Sequence, residues 1–312
     1  MLFQGSCAKV SAVINMKKKI QGSIFLLLAT VIWGSAFVAQ SVGMDHVGPF
    51  TFQAVRCALA TIGLIPLIYG FDCLNREGCQ FLRKWSDPRL WKAGILCGIP
   101  LFLAANLQQI GLVDTDAGKS AFLTAMYIVI VPVIGIFRKQ KTTVWVPISV
   151  VLAVIGLYCL SCVGVTSISS GDWCLIACAL MFAVQITFVD IYAPSVDALR
   201  LNCIQSLVCA VLSAVLMLLM EKPTLDGIWA CRLPLSYAGF LSMGIAYSLQ
   251  ILGQKELDPA PAALIMSMES VFAVLFGWLL LHETMTGVEV IGCVLMFTAV
   301  ILSQMPDKKK AS

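Results

Sequence analysis

Residues 261–283, PAALIMSMESVFAVLFGWLLLHE, decide the fold of this chain. A helix needs about 20 apolar residues to cross the hydrocarbon core of a bilayer, and this stretch supplies them. Its centre carries one ionisable side chain, that of Glu269. A carboxylate at that depth costs about 2.5–3.5 kcal/mol on insertion scales. We therefore expect the carboxylate of Glu269 to be paired, to take up a proton or to contact a substrate.

The composition of the whole chain agrees with a membrane protein. Of its 312 residues, 59% are hydrophobic and only 12% are charged, whereas a soluble domain carries about 25% charged residues. The net charge of +4 comes from lysines and arginines in short loops and at the ends, where membrane topology explains them. The composition thus predicts the lipid bilayer as a partner and no nucleic acid.

Ten apolar segments can be read along the chain. Because lipid offers no partner to backbone polar groups, each segment must be helical. The predicted fold is an all-α integral membrane protein with ten transmembrane helices, at residues 20–40, 49–69, 90–110, 118–137, 143–162, 172–191, 195–220, 235–254, 261–281 and 288–305. We expect residues 1–19 to form a disordered cytoplasmic leader and residues 306–312 a basic cytoplasmic tail.

Lysine and arginine are unevenly divided between the two sets of loops. The set that includes both ends carries most of them, among them residues 17–19, 83–92, 138–141 and 308–310. The opposite loops hold only Lys119, Lys222 and Arg232. Since cytoplasmic loops carry the positive excess, we predict a multi-pass protein of the plasma membrane with both termini in the cytoplasm.

Sequence landmarks recur in the same order in the two halves of the chain. The matched positions are Gly22 with Gly171, Gly94 with Gly239, Gly111 with Glu256, and Thr142 with Thr286. We therefore predict two repeats of five helices, residues 20–162 and 171–305. Because five is odd, the repeats would cross the membrane in opposite senses, and inverted repeats of this kind enclose the substrate site of many transporters near the midplane.

Several stretches carry a family resemblance. Residues 33–35 (WGS), 52–56 (FQAVR), the helix at 117–132 and residues 267–283 together resemble the EamA-type branch of the drug/metabolite transporter superfamily, over about residues 20–305. The resemblance implies a ten-helix inverted-repeat bundle that moves small metabolites, often outward. One departure is Ser270, which stands where the family usually has proline, so we expect the kink of that helix to be absent or displaced.

The few polar residues inside the spans indicate where a site would lie. Gln53 and Arg56 are three residues apart on one helix face, and the repeat alignment matches them with Asn202 and Gln205. Arg56 and Glu269 each lie near the midplane, by a rise of about 1.5 Å per residue. We expect both to share one polar cavity, either paired with each other or each holding one end of a zwitterion. A structural salt bridge between two helices is the alternative.

Further candidates surround this pair. In the alignment Thr124 is the repeat partner of Glu269, and Asn106, Gln108 and Gln109 are expected at the rim rather than at the ligand. The remaining predicted substrate-binding residues are Trp33, Tyr127, Gln185, Tyr247 and Gln250.

No nucleotide-binding, metal-binding or hydrolase motif appears in a suitable context, so the sequence predicts no enzyme and no cofactor. We predict a secondary transporter that exports amino acids or similar small polar metabolites by alternating access, with Glu269 as a candidate for proton coupling. A facilitator without coupling, a non-specific drug/metabolite efflux carrier, a membrane enzyme acting on a lipid-linked substrate and a structural subunit are the alternatives.

Overall fold

The computed structural model describes residues 2–74, 81–115, 117–140, 142–161, 169–281 and 285–305. Within these residues the regular structure is helical and includes no strand. In these described ranges, eight helices are long and apolar enough to cross a membrane, and two shorter apolar helices, Trp145–Leu160 and Gly287–Ser303, accompany them. The predicted all-α class is confirmed for this part of the chain.

The helices are numbered in chain order. They are α1 Leu2–Met44, α2 Pro49–Leu74, α3 Phe81–Trp85, α4 Pro88–Asp114, α5 Ala117–Ala125, α6 Tyr127–Phe137, α7 Trp145–Ser161, α8 Ser170–Tyr192, α9 Ala198–Met220, α10 Leu225–Ala230, α11 Arg232–Ser236, α12 Tyr247–Gln254, α13 Pro259–Met266, α14 Glu269–Leu281 and α15 Gly287–Ser303. Residues Tyr237–Ala246, between α11 and α12, form a π-helix, which we call the π segment.

The first helix differs from the prediction at its start. It begins at Leu2, whereas the sequence predicts a disordered leader over residues 1–19. Residues 2–19 contain no proline, so every N–H in this segment can continue the backbone hydrogen bonding of the apolar helix that follows. The predicted basic tail, residues 306–312, lies outside the described residues.

Two spans are interrupted near their centres. Met126 separates α5 from α6, and Ser267 with Met268 separates α13 from α14. At each joint a backbone N–H donates to the carbonyl three residues earlier, from Met126 at 3.3 Å and from Met268 at 3.0 Å, which is a tighter turn than an α-helix makes. Tyr127 and Glu269 are therefore the first residues of the helices that follow the two joints.

The order of elements around these joints occurs twice, and the offset in residue number is the same for each pair. Helices α5 and α13 begin at Ala117 and Pro259, α6 and α14 at Tyr127 and Glu269, and α7 and α15 at Trp145 and Gly287. In all three pairs the starting positions differ by 142. Both α7 and α15 have 17 residues. Tyr127 and Glu269 thus occupy the same place in two spans that are built alike.

Helix α1 crosses α14 at a glycine. A Cβ built on Gly34 would lie 2.4 Å from the Cβ of Phe272 and 2.8 Å from the backbone nitrogen of Ala273. Because backbone atoms cannot move aside as the end of a flexible side chain can, this crossing requires a residue without a Cβ. The contact fixes α1 against the helix that begins at Glu269.

We expect Gly34→Ala to lower the free energy of unfolding by about 1–3 kcal/mol, because it overpacks this crossing. The melting temperature of the purified protein in detergent measures the change. Gly70→Ala is the matched control: a Cβ there meets nothing within 4 Å, and alanine in a helix is favoured over glycine by about 1 kcal/mol. Equal melting temperatures for the two variants would contradict the tight crossing.

Candidate functional site

A cavity lined mostly by buried residues lies between the spans; about 40 Å³ of it can hold the centre of a water molecule, and the whole unfilled space, open solvent included, is about 490 Å³. Of the eleven predicted substrate-binding residues, six line it: Trp33, Arg56, Tyr127, Tyr247, Gln250 and Glu269. They come from α1, α2, α6, α12 and α14, so helices distant in sequence converge on one space. The expectation that Arg56 and Glu269 share a cavity agrees with this geometry.

Glu269 is the one acidic residue among the described residues that line the cavity. It is 6% exposed, and one of its carboxylate oxygens accepts a hydrogen bond from the hydroxyl of Tyr127 at 3.2 Å. Because Glu269 begins α14, the partial positive charge of that helix N-terminus favours its carboxylate. The carboxylate is thus partly satisfied by the protein and keeps capacity for a ligand.

Ser270 connects the joint before α14 to another span. Its hydroxyl donates to the backbone carbonyl of Ala121 in α5 at 3.1 Å. The interruption before Glu269 therefore exists without the family proline, and the serine joins the two interrupted spans to each other. The interruption, at Ser267 and Met268, lies in the turn that a proline at position 270 would disrupt, although serine stands there.

Arg56 is the one basic residue of the described lining. Its guanidinium donates to the side-chain carbonyl of Gln40 and lies 5.9 Å from the ring centroid of Phe52, while its Nε is buried without a partner. In the described part of the chain, no ion pair joins Arg56 to Glu269. Direct pairing, whether functional or structural, is therefore not the arrangement in this structure.

Aromatic rings form much of the cavity wall. Trp33 and Tyr247 pack edge to face with centroids 5.0 Å apart, and Tyr127 packs in the same way against Phe182 at 6.5 Å. The indole N–H of Trp33 and the side-chain carbonyl of Gln250 are buried without a protein partner. Since buried polar groups are normally hydrogen-bonded, this donor and this acceptor are available to a ligand or to water.

The other five predicted residues do not line the cavity but lie buried around it. Gln53 donates to the sulfurs of Cys57 and Cys209 at 3.2 and 3.3 Å, and Thr124 lies 3.3 Å from the amide nitrogen of Gln108. An apolar helix gives little indication of which face points inward, so the sequence could not separate these five residues from the lining residues.

Gln185, Asn202 and Gln205 form one hydrogen-bonded network. Gln185 is 3.4 Å from Gln205 and 3.1 Å from Gln250, and the amide of Gln205 donates to the side-chain carbonyl of Asn202 at 2.9 Å. The network reaches the lining residue Gln250, which also donates to Gln254 at 2.9 Å, so these amides lie behind the wall of the cavity.

Sequence reasoning missed seven lining residues. Gln40 carried a usable signal, since it lies seven residues after Trp33 and therefore on the same face of α1. Gln108, which the sequence placed at the rim, also lines the cavity. The others are Phe37, Phe182, Ile186, Ser242 and Met266.

Apolar spans around a buried cavity that holds one acid and one base are the features of a membrane transporter. The model of the EamA-like transporter family matches residues 20–162 and 169–305, and the chain belongs to that family. It is 29% identical to an uncharacterized transporter of Archaeoglobus fulgidus, over 91% of this chain and 86% of the relative.

Two further similarities agree. The uncharacterized transporter YoaV of Bacillus subtilis is 21% identical over 89% of this chain and 94% of its own length. A solved crystal structure superposes with a TM-score of 0.75 at 16% identity, covering 93% of this chain and 99% of the other. At that identity the structural match supports the fold alone.

Proposed function

We propose that this membrane transporter exports amino acids or similar small polar metabolites across the plasma membrane by alternating access. The main support for this proposal is that Arg56 and Glu269 line one buried cavity, have separate protein partners and do not pair with each other. A zwitterion can then place its carboxylate at the guanidinium and its ammonium at the carboxylate. Aromatic walls suit the remainder of such a molecule, and bound ammonium would also gain from the ring faces.

Alternating access needs two parts that rock about the site, and reciprocal contacts between α2 and α9 support an inverted pair. Asp72 of α2 binds the guanidinium of Arg200 of α9. At the other end of the same pair, Glu221 accepts from the backbone N–H and the hydroxyl of Thr51 at 2.8 and 2.6 Å. Positions 72 and 221 differ by 149, as do positions 51 and 200. A two-fold axis between antiparallel helices produces this reciprocity.

Glycine contacts repeat the same relation elsewhere. A Cβ on Gly111 of α4 would lie 2.5 Å from Cγ of Leu175 in α8, and a Cβ on Gly253 of α12 would lie 2.6 Å from Cγ of Leu26 in α1. The positions of the two leucines again differ by 149. The contact between Tyr127 and Glu269, which are equivalent in position, supports a cavity near this axis. The proposal counts α7 and α15 as the fifth and tenth spans.

The loop charges support cytoplasmic termini, and no step of the proposal requires a cofactor. Glu269 is the group that could couple flux to a proton gradient. Transport without coupling and a broader drug/metabolite specificity remain alternatives within the same mechanism.

The test is counterflow in proteoliposomes. Liposomes with purified protein are loaded with a mixture of the twenty common amino acids, and the exchange of each isotope-labelled amino acid is read by mass spectrometry. We expect one or a few amino acids to exchange faster than in protein-free liposomes. If a protein that remains monodisperse exchanges none of the twenty amino acids, amino acids are not its substrates and the proposed substrate class is overturned. A change in the mass of added lipid-linked sugars would instead favour an enzyme.

A further inference from the structure

The π segment, Tyr237–Ala246, interrupts the α-helical span at Arg232–Gln254. Single-turn π-bulges are the usual form and often mark functional sites, so ten π-helical residues need a cause. We infer that one inserted residue produces the π segment, and that the segment selects the substrate by adding a polar wall to the cavity. This inference deepens the proposed function and rests on it.

Contacts at the start of the π segment give the difference in residue number between equivalent positions of α4 and the segment. A Cβ on Gly98 of α4 would lie 3.1 Å from the carbonyl oxygen of Gln205, and a Cβ on Gly239 would lie 3.0 Å from the carbonyl oxygen of Arg56. Positions 205 and 56 differ by 149, as do the other equivalent positions of α9 and α2. Gly98 and Gly239 are therefore equivalent, and their positions differ by 141.

Contacts after the π segment give a different value for this difference in residue number. Gly111 and Gly253 are equivalent by their leucine contacts, and their positions differ by 142. From Gly98 to Gly111 is 13 positions, whereas from Gly239 to Gly253 is 14. The second stretch contains one extra residue, and the π segment lies at the place where the extra residue has to be absorbed. A π-helix absorbs it because its hydrogen bonds reach five residues instead of four.

Most residues that line the cavity form pairs of equivalent positions in the two halves of the chain. The equivalent residues that both line it are Trp33 with Phe182, Phe37 with Ile186, Gln108 with Gln250, and Tyr127 with Glu269. The lining is thus symmetric in position although not in chemistry. Selection between the two ends of a ligand can therefore come from the chemistry within these pairs and from the residues that break the relation.

Two residues that break the relation lie in the π segment or directly after it. Ser242 lies within the π segment and Tyr247 directly after it, whereas their counterparts in α4, around Leu101 and at Ala105, do not line the cavity. Tyr247 also fixes the ring of Trp33 by the edge-to-face contact. The π segment and the residue that follows it therefore supply a hydroxyl and a phenol to one wall alone.

Asn202 of α9 holds the segment in place. Its amide donates to the carbonyl oxygens of Met243 and Gly244 at 3.0 and 2.8 Å and to the hydroxyl of Ser248 at 2.9 Å. These carbonyls lie where π bonding changes to α bonding, and buried carbonyls need partners. Asn202 is thus a positioning residue for the polar wall.

The first experiment measures this coupling without a substrate. Deletion of Leu241, an apolar residue that is 37% exposed, shortens the separation of Gly239 and Gly253 from 14 positions to 13. We expect the deletion protein to remain monodisperse, and Asn202→Ala to lower the melting temperature in the full-length chain but hardly at all in the deletion chain. Deletion of Leu103, 39% exposed in the regular helix α4, is the matched control and should prevent folding. An equal effect of Asn202→Ala in both chains would overturn the inserted-residue origin.

The second experiment applies the amino-acid counterflow panel to the same proteins. We expect the deletion of Leu241 to change the ratio of rates between preferred and poor amino acids by about tenfold, the effect of one hydrogen bond, and Ser242→Ala to shift it in the same direction. Unchanged ratios in a folded deletion protein would overturn the selection role and leave the proposed function intact. No exchange by the unmodified protein would overturn the proposed function and substrate selection together, while the melting-temperature result would still decide the origin of the segment.

Discussion

Replacing Glu269 with glutamine is expected to reduce counterflow by at least about 100-fold, the order of effect seen when one charged group that a ligand needs is removed from a buried site. The amide keeps the shape of the side chain and can still accept from Tyr127, but it cannot balance an ammonium group or exchange a proton. Because burying a carboxylate is costly, the variant should fold as well as the unmodified protein or better. The measurements are exchange in proteoliposomes and melting temperature.

Glu256→Gln is the control for this prediction. Glu256 lies in the turn after α12, outside the cavity lining, and its neutralisation should leave exchange within about twofold, as surface changes usually do. Full exchange by Glu269→Gln would remove this carboxylate from the mechanism. Loss of gradient-driven uptake with retained exchange would assign Glu269 to proton coupling alone.

The membrane class and the approximate spans were predictable because hydropathy is a local property of the sequence. Trp33, Arg56 and Glu269 were also predictable, since a polar or amphipathic side chain at mid-span depth is expensive unless it has a role. The choice among amides was not. Gln185 and Gln250 both lie in apolar helices, and only packing decides that Gln250 lines the cavity while Gln185 hydrogen-bonds behind it.

The joints and the π segment had no adequate local signal. Neither Met126 nor Met268 is a proline or a glycine, so nothing in the sequence marked them as interruptions. The alignment of repeats matched Gly94 with Gly239, whereas the contacts match Gly98 with Gly239. A shift of one helical turn preserves the face of an apolar helix, so the sequence could not exclude it.

For the same reason the repeat alignment matched Glu269 with Thr124, whereas the starts of the helices match Glu269 with Tyr127. That change has a functional meaning. The two residues bond to each other at 3.2 Å, so in the proposed mechanism movement of one half against the other would alter this contact. Under that proposal a site between the halves is sensitive to rocking in a way that a site within one half would not be.

Replacing Asp72 with alanine is the second large effect, and it concerns stability. The side chain of Arg200 is 1% exposed and that of Asp72 is 6% exposed, and the two form an ion pair at one end of α2 and α9. Arg200 also lies 5.7 and 5.6 Å from the ring centroids of Phe81 and Trp85. We expect Asp72→Ala to lower the free energy of unfolding by about 3–5 kcal/mol, because it leaves a buried charge without its main partner.

The residual partner of Arg200 is too weak to compensate. Asp197 lies 3.5 Å from the guanidinium, but its side chain is 43% exposed, and exposed pairs contribute about 0–1 kcal/mol. Asp190→Ala is the matched control, since it removes a more accessible pair with Arg138 at 2.8 Å and should change the melting temperature little. The double variant Asp72→Ala with Arg200→Leu should recover most of the loss, because the buried charge of Arg200 is then removed as well, while Lys84, the other partner of Asp72 at 3.3 Å, is 29% exposed and can be hydrated. If Asp72→Ala lowers the melting temperature no more than Asp190→Ala does, then water reaches Arg200. This end of the α2 and α9 pair would then be open.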